Sequence, residues 1–133
     1  MAETTLAKKL GLKPGQRMAL LNAPDGFRER LHPLPEGAEL AETLHGAFDC
    51  ALVFTREQAV VERDAPAVRA AVKPGGLLWL AYPKLTSKVK TDLTRDRGWD
   101  SMFAAGWRPV SLVAIDDIWS ALRFRPEADV RTK

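Results

Sequence analysis

A single cysteine, Cys50, stands among the 133 residues, so the chain can form no internal disulfide and suits a reducing compartment. Its place inside an apolar run marks it as a small buried hydrophobe rather than a nucleophile. Histidine is almost as scarce: His32 and His45 stand apart with no cysteine at ligand spacing, which gives no metal site. No serine sits in a nucleophile elbow, and Ser87, Ser101, Ser111 and Ser120 each lack a neighbouring base, so no catalytic residue emerges. No apolar stretch approaches the roughly 18–20 residues of a membrane span, and residues 1–12 lack a long apolar signal core. A cytoplasmic chain without membrane association is expected. Internal repeats and low-complexity segments are missing as well.

What is present is an ordinary globular composition, with 46% hydrophobic and 28% charged residues, which excludes disordered and fibrous classes. The length suits one core. Residues 1–126 read as a single truncated Rossmann-like domain and 127–133 as a flexible tail without apolar periodicity. The strongest signal is residues 77–81, Leu77-Leu78-Trp79-Leu80-Ala81, between Pro74-Gly75-Gly76 and Pro83. A strand covered on one face alternates, whereas one buried on both faces is continuously apolar. This run therefore predicts a central parallel strand.

Other elements follow from their punctuation. Thr4 or Thr5 can cap a short helix ending at Gly11 that lies as a lid on the sheet. Residues 17–22 predict the first strand, and residues 27–31 a crossover of about two turns, cut short by Pro33 and Pro35. Residues 38–40 suggest a short edge strand, and 48–54 a full one. Thr55 and Gln58 match a capping box, so a helix should start there, with Pro66 breaking or restarting it. Residues 92–105 predict a helix whose Trp99, Met102 and Phe103 face the core. Residues 109–115 and 118–124, joined at Asp116-Asp117, predict a closing hairpin. The sum is an α/β fold, a three-layer, Rossmann-like, mostly parallel sheet of about five parallel strands closed by a C-terminal antiparallel hairpin.

Phe48-Asp49 opening a strand, Lys73-Pro74-Gly75-Gly76 before the next, and the terminal hairpin together resemble the later half of a class I S-adenosylmethionine-dependent methyltransferase. The segments 20–27, 76–84 and 116–126 look closer still to a bacterial family of short Rossmann-like proteins related to that fold, which implies no known activity. The methyltransferase resemblance implies a Gly-rich loop after the first strand and an acidic residue after the second to hold a ribose. Here the loop reads Asn22-Ala23-Pro24-Asp25-Gly26-Phe27, with one glycine and a proline that donates no hydrogen bond. Glu39 or Glu42 stands in for the acid, and the span before residue 48 is too short for the usual third strand. The expectation is no bound cofactor, no catalysis, and methyl transfer as the one enzymatic alternative.

Ligands of open α/β sheets sit beyond the carboxyl ends of the strands. That rule gathers Asn22, Asp25, Gly26, Arg56, Lys84, Ser87, Lys88, Asp116 and Asp117 at one mouth. The lysine-rich loop favours a small anionic ligand, with a protein partner as the other role, although the same residue types serve any turn or solvated loop. Nucleic acid is not expected: Asp92 and Asp96 offset the basic residues, the net charge is only +3, and no aromatic is interleaved for stacking.

Overall fold

A computed structural model of the chain describes residues 6–127. Its elements in order are α1 (Leu6–Lys9), β1 (Arg17–Leu21), α2 (Phe27–Arg30), β2 (Glu39–Ala41), β3 (Phe48–Phe54), α3 (Gln58–Ala71), β4 (Val72–Pro83), α4 (Asp100–Ala104), β5 (Trp107–Ala114) and β6 (Trp119–Pro126). They build one sheet in the order β2-β1-β3-β4-β6-β5. β2, β1, β3 and β4 pair in parallel, while β6 runs antiparallel to both β4 and β5. β5 thus shares the direction of the first four, and β6 alone opposes them.

The continuous apolar runs do what two-sided burial requires. In β4, Leu78 and Leu80 enter the core shared with Val61, Ala65 and Val68 of α3 and with Trp99 and Met102. Trp79 and Ala81 point the other way, to Ala7 and Leu10 near α1 and to Phe27 of α2. β3 splits likewise, with Ala51 and Val53 on the first face and Cys50, Leu52 and Phe54 on the second. Period-two alternation across a buried sheet therefore yields three layers. At the lid, Leu12 donates to the Ala7 carbonyl and Gly11 to that of Lys8, both at 3.0 Å, the paired bonds of a Schellman turn.

The first crossover is a single turn, shorter than expected. No further strand intervenes between β2 and β3, because only residues 42–47 separate them. The segment 42–47 can reach back along so short a strand, at roughly 3.3 Å per residue, without a helix.

Several expectations are corrected. The helix predicted over 92–105 is confined to Asp100–Ala104. Gly98, at φ +98°, breaks the pattern, and Asp92 and Thr94 are spent on turn and capping bonds. Pro66 does not break α3, which runs through it. Both Pro66 and Glu62 are exposed, so the carbonyl left without a donor lies on the solvent side. The Thr55–Gln58 capping box does not form: the Thr55 hydroxyl donates to the Ala81 carbonyl at 2.7 Å, and the Gln58 N–H instead donates to Asp92 Oδ1 at 2.7 Å. β4 starts at Val72, earlier than the apolar run, through an irregularity between Phe48 and Cys50 of its partner. The Thr4 or Thr5 cap and the tail beyond residue 127 lie outside the described residues.

Candidate functional site

The direction of the strands puts the segments following β1, β2, β3, β4 and β5 on one edge, as expected. The strand order reverses between β1 and β3, which lie side by side with β2 outside one and β4 outside the other. Such a switch point opens a crevice. Here it is a hollow of about 400 Å³ lined by Asn22, Pro24, Phe54, Arg56, Val60, Arg63 and Trp119.

The hollow is built from local necessities. Asn22 has a left-handed φ of 60°, which its short polar side chain tolerates. Its Nδ2 donates to the Phe54 carbonyl at 3.3 Å and to Asp64 Oδ2 at 2.8 Å, tying β1 to β3 and α3. Arg63 grips the same carboxylate through Nε and Nη2, each at 2.9 Å. The Asp64 carboxyl is held below its usual range, first by the Arg63 hydrogen bond, against burial, and then by Asn22. Arg56 is exposed and its guanidinium makes no ion pair among the described residues. Phe54 meets Phe27 and Trp119 edge-on, with ring centroids 4.7 and 4.9 Å apart, so the floor is aromatic and stiff.

The loop after β1 is a tight turn. Phe27 donates to the Pro24 carbonyl at 3.0 Å, and Gly26 sits at φ 79°, ψ −6°, the third position of a type II turn. Gly26 thus serves the turn. Asp25 is exposed beside it.

The remaining candidates go elsewhere. Lys84 lines a hollow with Glu57, Leu85, Lys90 and Asp92 and another with Tyr82, Thr94, Arg95 and Ser120. Neither includes Asn22. Ser87 closes a local turn, its hydroxyl donating to the Lys84 carbonyl at 2.8 Å, and Lys88 is exposed and lines no hollow described here. Asp116 caps its own hairpin turn, accepting from the Ile118 and Trp119 N–H groups at 2.8 Å each, and pairs with Arg30 at 2.8 Å. Burial works against its ionisation, but Arg30 and those N–H groups outweigh burial and hold its carboxyl below the usual range. Asp117 is exposed in the same turn. The single mouth expected from the sequence is thus divided into a β1/β3 hollow, a Lys84 loop and an Arg30–Asp116 link.

Sequence reasoning missed Arg63, Asp64 and Trp119. Val60 and Arg63 stand at i and i+3 of α3, the spacing of one helix face, and that signal was available. No helix among the described residues is long and apolar enough to cross a membrane, and no group of metal-ligating side chains gathers among them.

Glu42 directly follows β2, where the resemblance places the ribose-holding acid, but it is paired to Arg28 at 3.2 Å. The hollow contains two arginines and no acid among its lining residues, an unfavourable setting for a sulfonium. Pro24 removes an N–H from the turn. These residues do not fit S-adenosylmethionine.

No protein-family model matches the chain, and no match was found among curated proteins. Solved structures do match. DhpI in complex with SAH superposes with a TM-score of 0.62 at 14% identity, over 92% of this chain and 82% of that one. A SAM-dependent methyltransferase from Aquifex aeolicus gives 0.59 at 13%, over 90% and 86%. The ribosomal protein L11 methylase from Lactobacillus delbrueckii subsp. bulgaricus gives 0.58 at 10%, over 90% and 74%. At such identities the match is one of fold, and the chain carries the methyltransferase-like α/β sheet.

Proposed function

We propose that this chain is a non-catalytic, Rossmann-like binding module of the cytoplasm whose β1/β3 hollow takes a small anionic ligand with a flat apolar part. The observation that carries the reading is the lining itself: Arg56 and Arg63 beside Phe54, Val60 and Trp119, with no acidic residue. The Arg56 guanidinium, which makes no ion pair among the described residues, offers the planar fork that binds oxyanions, while the Arg63 fork stays on Asp64, and aromatic walls accept a flat ring. The Lys84 loop, where Lys84 and Lys90 stand with Glu57 and Asp92, is a surface of mixed charge suited to a protein partner. The degenerate turn Asn22–Phe27 supports kinship with the bacterial family of short Rossmann-like proteins.

A thermal-shift panel of nucleotides and phosphates tests this. A ligand that stabilises the wild type and loses its effect in Arg56→Ala with Arg63→Ala supports it; a panel with no effect on the wild type refutes it. The alternative, a divergent S-adenosylmethionine-dependent methyltransferase, is favoured by one observation, Glu42 at the carboxyl end of β2. Low-micromolar binding of S-adenosylmethionine by calorimetry, lost in Glu42→Gln, would replace the first reading with that one.

A further inference from the structure

At the opposite edge of the sheet, where the parallel strands begin, lies a cavity of about 410 Å³ whose lining includes Lys13, Gln16, Asp49, Lys73, Gly75 and Arg123. We propose that it is a second binding site, for a phosphate-type oxyanion held by Arg123, Lys73 and Lys13. The proposal is independent of the hollow at the carboxyl edge.

Three cationic side chains line this cavity against a single carboxylate. That carboxylate is already engaged on both oxygens: Asp49 Oδ2 accepts from the Arg17 N–H at 3.0 Å and Oδ1 from Lys73 Nζ at 3.1 Å. Lys73 spends one of its three donors there, and Lys13 and Arg123 form no ion pair among the described residues. The Nε of Arg123 is buried and has no hydrogen-bond partner among them. A buried donor on a charged group is costly to leave unmet, about 1–3 kcal/mol or more, and calls for a water or an ion. Arg123 is also pressed toward losing its proton, first by burial and then by the like charge of Arg125, and a bound anion relieves both.

The backbone adds shape. Phe48 pairs with Val72 and Cys50 with Leu77, so residues 73–76 stand outside the pairing and bow away from β3. Gly76 is required there, since a Cβ would lie 2.8 Å from the Asp49 carbonyl oxygen and 2.9 Å from that of Lys73. The bow brings Lys73 over the cavity from one side while β6 supplies Arg123 from the other. A guanidinium fork facing ammonium groups suits a tetrahedral dianion better than a single carboxylate.

The test is a titration of the ¹⁵N-labelled full chain with inorganic phosphate, followed by NMR. Saturable shifts of the Gly75 and Gly76 amides and of the Arg123 Nε–H are expected. Arg123→Gln should weaken binding about tenfold or more, the scale of one charged hydrogen bond. Lys73→Gln, at an exposed position, should weaken it several-fold without disturbing the fold, so the result stands even if the Arg123 variant misfolds. Arg56→Ala with Arg63→Ala should leave this affinity unchanged, which separates the two sites. Non-saturating drift spread over all surface lysines, wild-type affinity in both Arg123→Gln and Lys73→Gln, or loss of the shifts in the Arg56 and Arg63 variant would each overturn the proposal.

Discussion

The two edges of the sheet use similar residues to opposite ends. At the carboxyl edge, three of the polar side chains named from the sequence close structural bonds, Asn22 tying three elements together and Ser87 and Asp116 finishing their own turns, while Gly26 makes a type II bend. At the amino edge, Lys73-Pro74-Gly75-Gly76, which the sequence offered as punctuation and as part of the methyltransferase resemblance, stands out of the pairing, and the cavity it lines also holds a buried arginine donor without a partner among the described residues. A polar residue in a loop is therefore a poor guide to binding until its hydrogen bonds are accounted for. What distinguishes a site is a charge left over after the fold has taken its share.

Substitutions can break this contrast. The largest effect is expected at Phe54, 2% exposed at the carboxyl edge. Phe54→Ala removes the ring between Phe27 and Trp119 and should cost about 3–5 kcal/mol in denaturant unfolding, because that edge is held by packing as well as by polar bonds. Next is Gly76→Ala at the amino edge, where the added methyl meets two backbone oxygens. It should cost about 2–3 kcal/mol. Gly26→Ala, at φ +79° with open space around it, should cost about 1–2 kcal/mol through backbone strain alone, so equal losses in the two glycine variants would remove the distinction between crowding and conformation. Asn22→Ala strips the bonds to Phe54 and Asp64 and leaves an alanine at φ 60°, so it should cost about 1–2 kcal/mol, while raising amide exchange at the β1 end.

The smallest effect is in pH. The Asp49 carboxyl is held below its usual range chiefly by the Arg17 N–H and then by Lys73. A carboxyl whose folded pKa is depressed stabilises the fold above its unfolded value, near 3.8, and that contribution fades as pH falls through the lower folded value. Wild type should thus lose more stability than Asp49→Asn on acidification from about pH 5, as followed by thermal unfolding. Asp116→Asn should behave the same way, since its carboxyl is depressed too. Parallel acid curves for wild type and both variants would show that neither edge is held by its carboxylate.

Leu77-Leu78-Trp79-Leu80-Ala81 revealed its place in the sequence because two-sided burial writes a continuous apolar run, and the structure sets it between β3 and β6. The hairpin was legible from its two runs joined at the Asp116-Asp117 turn. The lack of a further strand between β2 and β3 could be counted from chain length. Devices that couple distant residues could not be read: Asp92 caps a helix 34 residues upstream, displacing the local Thr55 box and dissolving the helix expected around it. Arg63 shares a helix face with Val60, but only the fold aims that face at the switch point.

The Leu10 carbonyl, at the end of the lid helix, accepts from Trp79 Nε1 at 2.8 Å and faces the Cys50 sulfur at 3.8 Å. Burial pushes the Cys50 thiol up to about 12, so in the closed state it is neither accessible nor ionised enough to react. Its modification by a thiol reagent must wait for α1 to lift. The rate of that reaction is consequently a clock for the opening of one layer of the molecule, read from a residue the protein carries naturally, and it times the lid separately from global unfolding wherever the lid opens first.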